Sequence, residues 1–554
     1  MKLIRLSDNK IVLQFDFDPQ VVISVRKIDG RIWNAAKKRW EIPMENVKEV
    51  LDILTPIGFE AAPEIHHLLK KQNQFLEEID QIKKNPDIKY EGSLPLHDFQ
   101  KIGYSFLKSM PHALLGDVPG LGKTIQMIAA TEHDPHILIF TMNSLKYNIA
   151  AEVKKWIPEA KVLVIAGDKQ ARAEQWLSYA KTNKYVVANY ELLIHDFEHI
   201  KKFKWSTVVC DESTRISNPE SKTSQNLTKL GSVKRIAMTG TPISNSPIDI
   251  FGIFNFLVPG YLGTFYQFKE KYCITDDRFN NVIGYKNMEE LSTKVNRFML
   301  RRKKQEVFKE LPATLHQDVI FPLSPSERKL YDSVKQQLIK EIKELSLLDT
   351  KNLNIIPVKM LRLKQCTNHP ALVNALEVTE TSKLDALKAL LEPIIASGEK
   401  AIIFTQFAEC LHILNRELEK HKTFCIYGEV KPIKRMIITK EFNDFDGPAI
   451  MMMTEAGAYG LNLGSASYII NYDSPWSIEK LTQREGRADR SADVKSRKVK
   501  PLTVYNLIAK NSIDEYVIKV LDRKNKVSVD ILKDVERMAD SGLSMADIEE
   551  ILNL

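Results

Sequence analysis

Ala113-Leu114-Leu115-Gly116-Asp117-Val118-Pro119-Gly120-Leu121-Gly122-Lys123-Thr124 is the stretch that decides the fold. A short apolar run stops at a glycine-rich turn, and the turn opens into a helix-like segment, which is the context a phosphate-binding loop requires. The glycines let backbone N–H groups close on phosphate oxygens at a helix N-terminus. Lys123 would then neutralise β and γ phosphates, and the Thr124 hydroxyl would ligate Mg²⁺. Asp117 stands where G-x-x-x-x-G-K-S/T has its first glycine, so the match rests on Gly120-Leu121-Gly122-Lys123-Thr124.

Outward from this loop, β-rich apolar runs alternate with helix-like stretches from residue 91 to about 520, the pattern of parallel α/β sheets. The first set is Ala113 to Leu115, Ile137 to Phe140, Val162 to Ile165, Tyr185 to Ala188, Thr207 to Cys210 and Arg235 to Met238. A second set is Ala401 to Phe404, Phe424 to Tyr427, Ala449 to Met453, Ser467 to Asn471 and Leu502 to Tyr505. Such continuous runs imply sheets buried on both faces. Between about 263 and 385 the strand pattern lapses, and Ser324-Pro325-Ser326-Glu327 reads as a helix start with a capping box. A helical insertion between two α/β lobes is expected there.

The chain has 554 residues, and at about 150 per domain it is modular. With 44% hydrophobic and 27% charged residues it should fold throughout. The sequence has no apolar run of membrane-spanning length and its first residues turn polar too soon for a signal peptide, so the expected setting is cytoplasmic with no membrane partner. The five cysteines are odd in number and scattered, which fits reduced thiols. Cys366 and His369 have a metal-like spacing but no second pair near them. A net charge of +8 permits a nucleic-acid partner without demanding one.

Two further clusters suit nucleotide chemistry. Asp211-Glu212 directly follows an apolar strand, where an α/β sheet presents groups to ligand. Asp211 would hold Mg²⁺ through water and Glu212 would position the attacking water. In Gln483-Arg484-Glu485-Gly486-Arg487-Ala488-Asp489-Arg490, Arg487 and Arg490 are three apart, so on a helix both reach one polyanion. The bland reading of each cluster alone is a solvated loop and a salt-bridged surface helix; order along the chain is what favours the functional one.

From about 91 to 520 the chain resembles the Snf2 family of superfamily 2 helicase-like ATPases, motif after motif. Leu96-His97-Asp98-Phe99-Gln100 is similar to the Gln-containing first motif, which places Gln100 at adenine. The family usually has Asp-Glu-Met before Gly-Leu-Gly-Lys-Thr, so Asp117 is expected. Thr141 to Leu145, with Asn148 and Trp156, resembles motif Ia, and Asn189-Tyr190-Glu191 the next DNA motif of the first lobe. Asp211 to Arg215 resembles motif II, with Thr214 where many relatives carry His, and Thr239-Gly240-Thr241-Pro242 with Asn245 resembles motif III. Met299 to Lys303, Leu311-Pro312 and Gln365 to Pro370 are similar to segments typical of Snf2 proteins, which makes Cys366 and His369 family structure. Phe404 to Phe407 resembles motif IV, Thr454 to Leu463 with Gly457, Gly460 and Asn462 motif V, and Gln483 to Arg490 motif VI, although Ser491-Ala492-Asp493 replaces the usual Ile-Gly-Gln.

The resemblance implies two RecA-like parallel-sheet lobes with a helical insertion, within an α/β chain that also carries a small N-terminal α+β domain. The expected segments are 1–62, a connecting helix 63–90, lobe 1 with the start of the insertion at 91–312, the insertion and lobe 2 at 313–520, and a helical tail at 521–554, within which a capping box at Ser544 opens a short terminal helix. It also implies ATP and Mg²⁺ as cofactors, in a cleft contacted by Gln100, Gly120, Gly122, Lys123, Thr124, Asp211 and Glu212 from one lobe and Gly460, Arg487 and Arg490 from the other. DNA contacts fall to Ser144, Lys146, Asn189, Thr241, Thr405, Gln406, Thr454 and Asn462, with Trp476 as a wedge or a packing residue. The implied activity is ATP-driven tracking along double-stranded DNA. Ile23 to Leu54, with Trp33, Trp40 and Ile42-Pro43, resembles the HARP domain of annealing helicases, which implies forked or branched DNA, roles in replication and repair, and replication or recombination proteins as partners. A monomer of bacterial or viral origin is expected. The competing readings are a strand-separating helicase or restriction-system motor subunit, and a DNA-binding regulator without turnover.

Overall fold

The apolar runs become the inner strands of two wholly parallel sheets in the computed structural model, which describes residues 2–85, 90, 92–179, 181–243, 246–275, 282–308, 314–346, 356–455, 461–488, 501–519 and 521–522. Described residues form two compact units, one within 2–302 and one within 303–522.

The first unit begins with a mixed sheet of β1 (Leu3–Ser7), β2 (Lys10–Gln14), β3 (Ile32–Asn34), β4 (Arg39–Pro43) and β5 (Glu60–Ala61), in the order β3-β4-β2-β1-β5. Period-two alternation sends Ile4, Ile11, Leu13 and Ile42 to one face, where Val21 and Val25 of helix Pro19–Val25 and Val47, Val50 and Leu54 of helix Val47–Leu54 close the core. Helix Pro63–Lys84 starts with proline in its first turn and ends on Lys83 and Lys84, both favourable placements. Its Ile65 packs into the N-terminal core and its Ile79 into the core of the following α/β layer. Polar contacts join the same parts: buried Asp29 accepts from Lys271 at 3.0 Å, Glu49 from Lys294 at 2.8 Å, and Asn46 Nδ2 donates to Tyr261 O at 3.3 Å. Asp29, Glu49 and Glu290 converge, and the ammonium groups of Lys271 and Lys294 neutralise them.

The seven-stranded sheet contains β6 (His112–Leu115), β7 (Ile137–Thr141), β8 (Val162–Val164), β9 (Tyr185–Asn189), β10 (Trp205–Asp211), β11 (Ser232–Met238) and, beyond a β12 (Cys273–Thr275) and β13 (Val282–Tyr285) hairpin, β14 (Met299–Leu300). Its order is β14-β6-β11-β10-β7-β9-β8. β10 lies between β11 and β7, so Asp211 emerges from the middle of the C-terminal edge, beside the loop that leaves β6.

The second unit holds β15 (Leu315–Phe321), β16 (Ala401–Phe404), β17 (Thr423–Ile426), β18 (Ile450–Met453), β19 (Tyr468–Asn471) and β20 (Thr503–Ala509), in the order β15-β20-β19-β16-β18-β17. Helix Pro325–Ser346 begins as the sequence predicts: Ser324 Oγ accepts from Glu327 N at 3.2 Å and Glu327 Oε2 accepts from Ser324 N at 2.9 Å. The interval expected to be helical also contains strands. β14 has two residues, and β15 is an edge strand whose residues Leu315 to Asp318 are exposed, so neither carries a continuous apolar run. No described helix is long and apolar enough to cross a membrane. All five cysteines are free thiols. Asn245, Leu311-Pro312, Gly457, Gly460, Asp489, Arg490, Ser491 to Asp493 and the tail with Ser544 lie outside the described residues.

Candidate active site

The loop after β6 ends at Gly122, which caps helix Lys123–Thr131 with φ +70°, a left-handed conformation that favours glycine. A Cβ there would also lie 2.5 Å from Gln100 Nε2. Lys123, the first residue of the helix, donates to Asp117 O at 2.8 Å. Gln100 is buried near the start of helix Asp98–Ser109: its Oε1 accepts from His97 N at 3.0 Å and its Nε2 donates to Leu121 O at 3.4 Å. The Gln-containing motif is thereby fastened to the phosphate loop.

Asp117 has a structural reason for replacing glycine. Its fully buried carboxylate accepts from Arg302 Nε at 3.0 Å and from Arg302 Nη2, in a bidentate pair. Arg302 also donates to Gln126 Oε1 at 2.8 Å and to Phe99 O, while Gln126 Nε2 donates to Leu121 O at 2.9 Å. The segment just past β14 thus clamps the phosphate loop. Arg302→Ala leaves Asp117 charged and buried, and the first unit should lose about 3–5 kcal/mol. Denaturant unfolding checks this. Arg302→Ala combined with Asp117→Asn should cost less than the sum of the single changes.

At the end of β10, Thr141 Oγ1 donates to Asp211 Oδ2 at 2.9 Å and Tyr190 OH donates to Asp211 O at 2.7 Å. Burial, then the neighbouring Glu212 charge, pushes the Asp211 carboxyl up to about 7, while Lys123 acts in the opposite direction. A divalent cation beside Asp211 would favour its ionised form. The Thr124 hydroxyl and the Asp211 carboxylate are oxygen donors, the set that suits Mg²⁺. Glu212 has φ +50°, an uncommon conformation for a residue with a side chain and one that recurs at functional sites. Gly240 lies against the phosphate loop; a Cβ on it would come within 2.8 Å of the Pro119 ring.

Several residues expected at DNA phosphates have hydrogen-bond partners within the protein. Lys146 is buried and donates to Asn189 Oδ1 and Ile165 O, each at 2.9 Å, and burial lowers its pKa. Asn189 donates to Glu191 Oε2 at 2.6 Å. Lys146 thereby ties the start of helix Lys146–Trp156 to the ends of β8 and β9. Ser144 sits in the turn before helix Lys146–Trp156, and Thr241 is half-buried in the loop after β11.

In the second unit, buried Asp473 is a hub. It accepts from Thr405 Oγ1 at 2.7 Å, Gln406 N at 3.1 Å and Asn368 Nδ2 at 2.8 Å. Burial pushes its pKa up, but Lys364 and Arg484 outweigh this and hold it below the usual carboxylate value. Lys364, wholly buried, has its pKa pushed down to about 8 by burial. Thr405 and Gln406 therefore organise the strand end, with Gln406 Nε2 also donating to Ser474 O at 3.0 Å. Arg484 donates to Asn471 Oδ1 at 2.8 Å, to Asp473 O at 2.7 Å and to Glu455, and lies 5.1 Å above the Phe404 ring. Arg487 follows in the turn Gly486–Ala488, half-buried, with Nη1 3.4 Å from Leu461 O. Thr454 is buried, its hydroxyl without a hydrogen-bond partner among the described residues, and Asn462 is exposed. Trp476 packs beside the cluster of Tyr331, Met360 and Leu363, with Lys364 Nζ 5.2 Å from its ring centroid, a packing role.

Arg302, Asp473 and Lys364 are the functional supports that sequence reasoning passed over. Arg302 stood inside the quoted segment Met299 to Lys303, but its partner Asp117 lies 185 residues away.

Family models match most of the chain. The SNF2-related domain matches residues 64–372 and the helicase conserved C-terminal domain matches 382–492. The Bacillus subtilis protein YwqA is 29% identical over 524 residues, covering 90% of this chain and 54% of that protein. The human SWI/SNF-related matrix-associated actin-dependent regulator of chromatin subfamily A member 1 is 28% identical over 493 residues, covering 83% and 46%. A solved Sulfolobus solfataricus SWI2/SNF2 ATPase core in complex with dsDNA is 27% identical, covering 85% of this chain and 99% of that chain at a TM-score of 0.39. The chain spans about half the length of the curated relatives it matches. With a phosphate loop and an Asp-Glu pair on one sheet edge, an arginine motif in a second parallel-sheet unit, and a domain match over more than half its length, the chain belongs to the SNF2-related family.

Proposed function

We propose that the protein is an ATP-dependent translocase on double-stranded DNA that remodels it by fork reversal, branch migration or strand annealing. The observation that carries this reading is the grip of Thr141 and Tyr190 on Asp211. Two residues from the segments that resemble DNA-facing motifs hold the residue expected at the cation, Thr141 at its carboxylate and Tyr190 at its main-chain carbonyl, so a change at bound DNA has a direct mechanical route to the hydrolysis site. The fork preference rests on the HARP-like pattern of residues 23–54, and on that resemblance alone.

In this reading Lys123 and the N-terminus of helix Lys123–Thr131 bind the β and γ phosphates. Thr124 and Asp211 would hold Mg²⁺, which would supply positive charge at the reacting phosphates. Glu212 orients the attacking water. Arg487 and Arg490 stabilise charge on the transferring phosphoryl group. Gly460 would lie along the same nucleotide. Ser144, Thr241, Thr454 and Asn462 supply sequence-independent backbone contacts, as a motor on any sequence needs.

Thr141→Val should lower kcat about tenfold or more while leaving the KM for ATP near its original value, because a hydrogen bond to a charged group is lost beside the reacting phosphate. Steady-state kinetics with saturating duplex checks it; an unchanged kcat removes the proposed coupling. Comparing turnover on single-stranded, blunt duplex and forked DNA at one stated salt concentration tests the substrate class. Blunt duplex should stimulate strongly, and stimulation by single strands alone would favour a strand-separating helicase.

A further inference from the structure

Asp29, 2% exposed in the turn before β3, and Glu49 of helix Val47–Leu54 converge on two ammonium groups from the α/β layer. Lys271 reaches Asp29 at 3.0 Å and Glu290 at 2.6 Å, while Lys294 reaches Glu49 at 2.8 Å and pairs with Asp29 as well. Gly30 presses its backbone on the same layer: a Cβ there would lie 2.1 Å from Gly260 O. The N-terminal domain is therefore seated by charges that hardly meet water, and removing one of them leaves its partner poorly solvated.

Lys294 belongs to helix Met288–Asn296, and the chain beyond that helix runs directly to the phosphate loop. Tyr261 OH donates to Lys294 O at 3.3 Å, and the Tyr261 ring meets Phe298 edge-on with centroids 5.0 Å apart. Lys83, near the end of helix Pro63–Lys84, donates to Asn296 O at 2.7 Å. Three backbone bonds at alternate residues then fasten the segment in place. Leu114 N donates to Phe298 O at 2.8 Å, Gly116 N to Leu300 O at 2.8 Å and Val118 N to Arg302 O at 3.2 Å. The last of these lies within the phosphate loop itself, and the Arg302 side chain grips Asp117 beside it.

We propose that Lys294 is a positioning residue for ATP hydrolysis. Gripped by Asp29 and Glu49 of the N-terminal domain, it fixes where residues 298–302 lie along the phosphate loop, so the seating of that domain sets the rate of turnover. The effect on turnover rests on the nucleotide-site reading given above; the mechanical link from Lys294 to the loop does not. A displacement of about 1 Å in groups that hold a reacting phosphate can cost on the order of a hundredfold in rate, so even slight loosening at Lys294 is felt. Contiguity in space does not by itself establish coupling, and coupling is what the test reads.

Hydrogen exchange on the full chain, without nucleotide, reads the mechanical link. In Lys294→Met, peptides spanning residues 114–118 should exchange about two- to thirtyfold faster while those from β7 keep their original rate. In DNA-stimulated hydrolysis the same variant should lower kcat about two- to thirtyfold, and Lys294→Arg, which keeps the cation, should recover most of the loss. Arg302→Lys retains charge but loses the bidentate grip on Asp117; adding Lys294→Met to it should cost little more, since both act through one segment. Glu41→Gln, which removes a pair with Lys10 elsewhere in the N-terminal sheet, should leave kcat unchanged. Unchanged exchange at 114–118, exchange raised equally across residues 91–302, or additive losses in the double variant would overturn the proposal. Faster exchange at 114–118 in Lys294→Met, together with an unmodified chain that does not hydrolyse ATP, would support the mechanical link and count against the nucleotide-site reading.

Discussion

Lys123→Ala abolishes DNA-stimulated ATP turnover while leaving DNA binding largely intact; that is the expected result, and Glu212→Gln should do the same. The two variants fail for different reasons. Lys123 begins the helix beyond the phosphate loop, so its ammonium group and the helix N-terminus present positive charge to the same phosphates. Removing it takes away charge that grows in value as the phosphoryl group transfers. Glu212→Gln keeps size and shape at a left-handed backbone position but loses the anionic group that orients water. ATP should therefore still bind to Glu212→Gln and accumulate unhydrolysed, whereas Lys123→Ala should bind it more weakly. Single-turnover hydrolysis alongside equilibrium nucleotide binding separates the two. Unchanged turnover in either variant would sink the nucleotide-site assignment.

Arg487→Ala should lower kcat by about 10³- to 10⁵-fold with a much smaller change in ATP affinity, the signature of a guanidinium that acts on charge developed during transfer. The neighbouring Arg484 offers an internal contrast. Arg484 is buried among Asn471, Asp473 and Glu455, so Arg484→Ala should act by loosening the second unit, with a lowered unfolding midpoint. Arg487, half-buried in the turn that follows, should leave that midpoint nearly unchanged. A loss of affinity larger than the loss in kcat would remove Arg487 from the role of arginine finger.

Inner strands and the nucleotide motifs were legible because each is a local pattern. Ile137 to Phe140 and Ala401 to Phe404 are buried on both faces and so are apolar without interruption. Gly122-Lys123-Thr124 and Asp211-Glu212 carry their chemistry in adjacent residues. The edge strand β15 was not legible, since exposed residues on a singly paired strand need no apolar run. Side-chain partnerships were hidden for a related reason: Arg302 meets Asp117 across 185 residues, and Asn368 meets Asp473 across 105, distances over which no spacing rule operates. Lys146 and Asn189 form a further pair that no spacing reveals: 43 residues apart, both are buried and their polar atoms bond each other.

The central claim is that hydrolysis drives movement along duplex DNA, and displacement of a third strand from a triplex by the full chain tests it most directly. The translocase reading predicts displacement that requires hydrolysable ATP, is lost in Glu212→Gln, and occurs without separation of the underlying duplex. Duplex-stimulated ATP hydrolysis with no third-strand displacement, or displacement that proceeds equally without hydrolysis, would contradict it.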